Sequence, residues 1–308
     1  MQMAEQSPTG VVFLNPGTLP RAALGDSAVY WADSFAASGY PSFRFDLPGL
    51  GDSGGDLPTD LMDFQSAVNR GDYAPILSAT TQTLVERFEL RGVVVVGLCA
   101  GAVTALFAAA ADNRIKGLIL MDPYFNEQQD VTSRSLLSRW HMRVIRGIEE
   151  DWQRSVPSGS RLGTALFLKL RGIHKAMKRV RVLPSGNALP SNANLALLRS
   201  WQQVVSSGRR ILVFSSRSSV PRAGAFDYVE YLLAKSDRGD GVAAQLIDDT
   251  NHSFAEGQGK QAVRRHAGEW LRVNFPLSGG GGSRAAERDV SRVAECSGAE
   301  IAAFVPTT

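Results

Sequence analysis

The sequence predicts an α/β protein: a mostly parallel sheet flanked by helices, interrupted by an inserted helical cap. Three observations predict it. Short β-branched and aliphatic runs recur along the chain, alternating with amphipathic or alanine-rich helical stretches, which implies right-handed crossovers and parallel strands. The run Val93-Val94-Val95-Val96 is too short for a buried helix and too uniformly apolar for a one-faced strand. It reads as a central strand covered on both sides. Between about Tyr124 and Gln203 the alternation gives way to basic helical sequence.

Taken in order, Val11-Val12-Phe13-Leu14 is a short buried strand, followed by the loop Asn15-Pro16-Gly17-Thr18-Leu19-Pro20. Ser27 to Ser38, with Tyr30, Trp31, Phe35 and several alanines, predicts an amphipathic helix closed by Gly39. Pro41 to Asp46 alternates aromatic and polar residues and reads as a strand that runs into Leu47-Pro48-Gly49-Leu50-Gly51-Asp52-Ser53. Ile76 to Leu90 is the helix leading to the valine strand, and an alanine-rich helix starts at Ala102. Lys116 to Met121, Ile211 to Phe214 and Ala243 to Ile247 complete the strands, the first of them ending in Asp122-Pro123. Ser135–Trp152 and Arg161–Val180 read as cap helices, and Ser278-Gly279-Gly280-Gly281-Gly282-Ser283 as a flexible linker.

The strand–helix junction carries Gly97-Leu98-Cys99-Ala100-Gly101, the spacing of a nucleophile elbow with cysteine where serine is more usual. A sharp strand-to-helix turn projects the side chain of Cys99 above the sheet, where the helix N-terminus favours a thiolate. The bland reading of the same residues is a buried cysteine in a tight turn. The turn Asp46-Leu47-Pro48-Gly49-Leu50-Gly51-Asp52-Ser53 has the form Asp-x-x-Gly-x-Gly-x-Ser, and a late loop reads Asn251-His252-Ser253-Phe254. Together these resemble the α/β-hydrolase superfamily, over about residues 10–125 and 205–275. The order of Asn15-Pro16-Gly17, Asp46 to Ser53 and the cysteine elbow is most similar to the exosortase-associated branch. The resemblance implies an α/β-hydrolase fold whose core comprises residues 1–123 and 204–276, with a cap at 124–203 and a linker and tail at 277–308. Few residues precede the first strand, so the superfamily's usual N-terminal hairpin is expected to be absent. The Phe43–Phe45 strand is then expected at or near an edge, which invites pairing as a homodimer.

A cysteine nucleophile needs a base within reach, oriented by a third group. The chain has four histidines: His141 and His174 fall in the cap, and His266 in a C-terminal helix. His252 follows the last strand in a loop, where the superfamily's base resides. The usual acid position, after the Ile211–Phe214 strand, reads Ser215-Ser216-Arg217-Ser218-Ser219-Val220 and holds no carboxylate. Asp122, at the end of the preceding strand, is the alternative acid position that the resemblance implies and is the favoured acid, with Asp227 the alternative and an unassisted Cys–His dyad the third option. The bland role for Asp122 is to cap a turn before Pro123. For the oxyanion hole, one donor is the N–H of Ala100. The other comes from Gly17 or Thr18, because Pro16 has no N–H, and Asn15 is placed to hold that loop in shape.

Composition sets the remaining bounds. The chain has 308 residues, 44% hydrophobic and 20% charged, with a net charge of +3 that is too small to imply nucleic-acid binding. Two cysteines make no disulfide framework, no signal peptide is read at the start, and no apolar run approaches the roughly 20 residues of a membrane span. A cytoplasmic protein is expected. No metal-ligand spacing and no dinucleotide-binding glycine motif occurs, so no cofactor is expected. From Val131 to Val182 the chain carries twelve Lys/Arg against Glu149, Glu150 and Asp151. This reads either as a solvated basic surface or as a face for an acidic acyl carrier protein or coenzyme A, with a membrane surface as a lesser alternative. The function expected is acyl chemistry on an ester or thioester through a Cys99 acyl-enzyme, by hydrolysis or transfer. A non-hydrolytic cyclase, lyase or binding module on the same fold is the alternative.

Overall fold

Strand β3 (Gly92–Leu98), the valine run, lies at the heart of a sheet with every residue buried. In the computed structural model the described residues are 7–58, 60–127, 189–219, 226–236 and 241–277. The expected cap helices, their basic residues, His141, His174, and the tail with Cys296 lie outside the described residues. Beside β3 stand β1 (Thr9–Phe13), β2 (Ser42–Arg44), β4 (Ile115–Met121), β5 (Arg210–Ser216) and β6 (Val242–Ile247). The order is β2-β1-β3-β4-β5-β6, and all neighbouring pairs are parallel. β2 occupies one edge, the position expected of the Phe43–Phe45 strand.

Helices cover both faces because both faces of β3 and β4 are apolar. On one face lie α1 (Ser27–Ala37) and a long C-terminal helix (Gly257–Asn274, α7 below). Helix α1 presents Ala28, Trp31, Ala32 and Phe35, the i, i+3, i+4, i+7 stripe of an amphipathic helix. α7 presents Val263, Ala267 and Leu271, and both stripes join Val94, Val96, Ile119, Met121 and Phe214 in one core. Trp31 Nε1 also donates to Lys260 O at 2.9 Å, tying the two helices together.

The opposite face is covered by α2 (Leu61–Arg70), α3 (Ala74–Arg87), α4 (Ala100–Ala111) and α5 (Leu195–Ser206). α4 is buried almost all round, since it packs on β3 and β4 beneath and on α2, α3 and α5 beside and above. Its alanines permit that crowding. Helix α2 is not among the elements the sequence announces. Its buried apolar residues are Phe64, Ala67 and Val68, and the Asp60 cap, which accepts from Met62 N at 2.8 Å, marks its start. A short helix α6 (Tyr228–Lys235) follows β5.

The chain divides into two compact units, one comprising residues 1–127, 193–221 and 227–308, the other 128–192 and 222–226. The second lies almost wholly outside the described residues. Helix α5, most of which falls within the 124–203 stretch expected to be cap, belongs to the first unit. Leu197, Leu198, Trp201 and Val204 form its buried stripe, and that stripe seats on α4.

Candidate active site

The elbow is built by close backbone approach. Cys99 caps the N-terminus of α4 with φ 56° and ψ −115°, a strained conformation for a residue with a Cβ. A Cβ on Gly97 would lie 2.5 Å from the Gly101 carbonyl, and one on Gly101 would lie 2.7 Å from the Asn15 carbonyl oxygen. Neither position tolerates a side chain. The two glycines thus let β3 turn directly into α4, and let the loop after β1 lie against the start of that helix. Cys99 N–H donates to Met121 O at 3.0 Å, which keeps the elbow in register with the end of β4. Its thiol is free and half-buried.

Asp122, the residue directly after β4, has φ 42°, and its N–H donates to Phe214 O at 2.8 Å. Its side chain is only 2% exposed and accepts four hydrogen bonds. Ser216 N–H gives one at 2.7 Å to Oδ1; Ser216 Oγ at 2.7 Å, Ser219 Oγ at 2.6 Å and His252 Nδ1 at 2.9 Å converge on Oδ2. A buried side chain so thoroughly hydrogen-bonded is held in one orientation. His252 itself is 51% exposed. Its pKa is pushed up from 6.5 to about 10, first by the hydrogen bond to Asp122, then by one to the Cys99 sulfur, with desolvation opposing. With Nδ1 on Asp122, Nε2 is the ring nitrogen left to face Cys99. The ring is therefore an imidazolium at neutral pH, between a carboxylate and a sulfur.

The structure brings Cys99, His252 and Asp122 together and leaves Asp227 elsewhere. Asp227 caps α6, accepting from Val229 N at 2.9 Å and Glu230 N at 3.1 Å, a helix N-cap role that engages its carboxylate locally. His266 is on α7 beside Arg265, outside this cluster.

The β1 loop is held by a buried polar hub. Asn15 Nδ2 donates to Leu19 O at 3.0 Å and to Asp46 Oδ1 at 2.7 Å, while its Oδ1 accepts from Leu47 N at 2.8 Å. Asp46 also accepts from Arg21 N at 2.5 Å and Arg21 Nη1 at 2.6 Å. Ser53 Oγ closes the turn on Asp46 O at 2.7 Å. The Asp-x-x-Gly-x-Gly-x-Ser turn thus acts structurally, by fixing the loop that carries Gly17 and Thr18. Those two lie in the turn from Pro16 to Leu19, and among the described residues neither N–H has an acceptor. Ala100 N–H belongs to the first turn of α4, where helix amides have no intrahelical partner.

Sequence reasoning missed Ser216 and Ser219 as partners of Asp122, and Arg21 as a brace of Asp46. Four serines within five residues, 215–219, at the C-terminal end of a parallel strand were the available signal for the first.

A parallel sheet that sets Cys99 on a strained strand-to-helix turn, with His252 and Asp122 beside it, defines the α/β-hydrolase class. The chain belongs to the alpha/beta hydrolase family, whose family model matches residues 11–289. Among solved structures, an esterase of Pyrococcus furiosus, Pf2001, is similar at 14% identity, with 87% of this chain and 83% of that one covered and a TM-score of 0.52. The alpha/beta hydrolase GrgF from Penicillium sp. sh18 is similar at 16% identity, covering 87% and 91%, with a TM-score of 0.50. At these identities the likeness is one of fold. A search of curated proteins found no match.

Proposed function

We propose that the protein is an acyl-transferring or ester-hydrolysing enzyme that works through a thioester on Cys99. The observation that carries this reading is the line of contacts Cys99–His252–Asp122, with a 2.9 Å hydrogen bond between the last two and Cys99 at a strained elbow. In the proposed reaction the Cys99 thiolate attacks the carbonyl of an ester or thioester. The oxyanion accepts from Ala100 N–H and from Gly17 or Thr18 N–H. His252 Nε2 then gives its proton to the departing alcohol or thiol, leaving the acyl group on Cys99. Neutral His252 next takes a proton from water or from another acceptor, which attacks the thioester and expels the Cys99 thiolate, restoring the starting pair. Asp122 holds Nδ1–H and the ring's orientation throughout.

The missing carboxylate after β5 was the main support for a non-hydrolytic cyclase, lyase or binding module. Asp122 on His252 removes that support, so the acyl reading is preferred. The donor we propose is a small or carrier-bound acyl thioester, such as one on coenzyme A or an acidic acyl carrier protein, in a biosynthetic setting. The likeness of the elbow and loops to the exosortase-associated branch is carried forward as part of this proposal, as are a cytoplasmic location and a homodimer through the β2 edge. Among the described residues no helix is long and apolar enough to cross a membrane.

Intact-protein mass spectrometry with model thioesters tests the central step. An acyl adduct on the wild type that maps to Cys99 and is missing from Cys99→Ala is the expected result. A wild type that turns over esters with no adduct, and a Cys99→Ala variant of equal rate, would overturn it.

A further inference from the structure

One polar group near Cys99 plays no part in this scheme, the hydroxyl of Tyr124. β3 and β4 are paired to their ends, with Leu98 opposite Met121. Cys99 and the segment Asp122-Pro123-Tyr124 therefore leave the same rim of the sheet side by side. The Tyr124 oxygen accepts a hydrogen bond from Gln65 Nε2 of α2. Gln65 Nε2 also reaches Asn69 Oδ1 at 3.5 Å, so the same amide nitrogen faces both oxygens. The backbone of Asn69 is anchored in turn, its main-chain carbonyl accepting from the buried Asn194 Nδ2 at 2.8 Å. An amide N–H can only donate, so the phenol oxygen is the acceptor and its own proton points elsewhere. Among the described residues nothing accepts that proton. Burial, assisted by the negative charge of a Cys99 thiolate, raises the hydroxyl's pKa above its ordinary 10, so it stays a donor.

The direction of approach says what such a donor serves. His252 comes from the loop before α7, in the helical layer shared with α1. Gln65, which orients Tyr124, comes from α2 in the layer built on α4. The two groups thus lie toward opposite faces of the sheet at the rim where Cys99 stands. His252 is on the side where the leaving group takes its proton, which leaves the acyl chain for Tyr124. We infer that the Tyr124 hydroxyl donates a hydrogen bond to an oxygen on the acyl chain of the substrate, so that the site prefers hydroxyacyl or oxoacyl groups over plain alkyl acyl groups. A half-buried donor without an acceptor of its own discriminates against a chain that leaves it unpaired. The inference rests on the proposed acyl chemistry at Cys99.

The test compares N-acetylcysteamine thioesters of lactate and 3-hydroxybutyrate with those of propionate and butyrate, reading the rate of acyl-Cys99 formation by intact mass. Wild type is expected to favour the hydroxylated member of at least one pair. Tyr124→Phe, which keeps the ring, is expected to reduce that preference about tenfold, the worth of a single hydrogen bond to an otherwise unpaired group. Gln65→Leu, which keeps the donor and loses its brace, is expected to reduce it by less. The ratio within a pair cancels any loss of folded protein or of thiol reactivity, so a merely structural role for Tyr124 does not move it. Adducts forming with ratios unchanged in Tyr124→Phe would overturn this inference and leave the acyl reading intact. No adduct on wild type from any of the four thioesters would overturn the acyl reading and this inference with it.

Discussion

Asp122 shows how one side chain can serve a site from an unusual strand. It follows β4, yet its carboxylate meets the loop after β5 through Ser216 and Ser219 and meets His252 from beyond β6. Three segments converge on one buried group, so it is held without freedom to move. Asp122→Asn is expected to leave the fold intact and to slow acylation by about 100-fold or more, since the ring loses its tautomer and its charge partner. Asp227→Ala is expected to cost about 1 kcal/mol of stability through the lost α6 cap and to leave the rate unchanged. Stopped-flow acylation and thermal melts on the two variants separate the roles. Asp122→Asn combined with His252→Ala is expected to be no worse than the more severe single change, because the pair acts as a unit. The pH behaviour follows from the same contact. Because the folded state holds the His252 proton above the ordinary 6.5, the stabilisation is complete below pH 6.5 and is lost as pH rises through about 10. The His252 ring resonance should titrate near pH 10 by NMR, and lower in Asp122→Asn. The melting-temperature advantage of wild type over His252→Gln should shrink across the same interval.

At the level of elements, the elbow depends on β3, α4 and the β1 loop fitting against one another with no side chain between them. A Cβ at Gly101 would sit 2.7 Å from the Asn15 carbonyl oxygen, backbone that is itself tied to Asp46 and Leu47. Gly101→Ala is therefore expected to displace the loop that carries Gly17 and Thr18. Overpacking of this kind costs about 1–3 kcal/mol of stability, and the misplaced donor should cost about 100-fold in kcat/KM. Gly54→Ala is the control, since nothing lies within 4 Å of the added methyl. Equal activity in the two variants would argue against an oxyanion role for the loop.

Across the whole molecule the charge is uneven, with a net +3 overall but twelve Lys/Arg against three acids in residues 131–182. That excess should attract an acidic carrier or coenzyme A and should do little for an uncharged donor. Interactions between exposed charges fall off over a Debye length of about 8 Å at physiological ionic strength. Second-order acylation rates with a carrier-bound donor are expected to fall as salt rises, and those with a short uncharged thioester to stay level. Charge reversal at Arg171, Lys175 and Lys178 should mimic high salt through the association rate. The same salt dependence for both donors would make the stretch an ordinary solvated surface.

The sequence by itself determined the parallel α/β sheet and the elbow at Cys99. Each is written in local terms: a valine run, an alternation of strand and helix, two glycines four residues apart. It also narrowed the histidine to His252 by its place after the last strand. It left Asp122 and Asp227 as alternatives, because both are aspartates beside a turn and local sequence does not say which one a distant loop will meet. Only the tertiary structure decided that Asp227 is taken up by the backbone of its own helix while Asp122 faces His252, 130 positions away in the chain. The same holds for Ser216 and Ser219 on that carboxylate, for Asp46 bracing the β1 loop and for Gln65 orienting Tyr124. These are pairings between side chains remote in sequence, with no periodicity to announce them. They exist because the sheet brings the C-terminal ends of its strands to one rim.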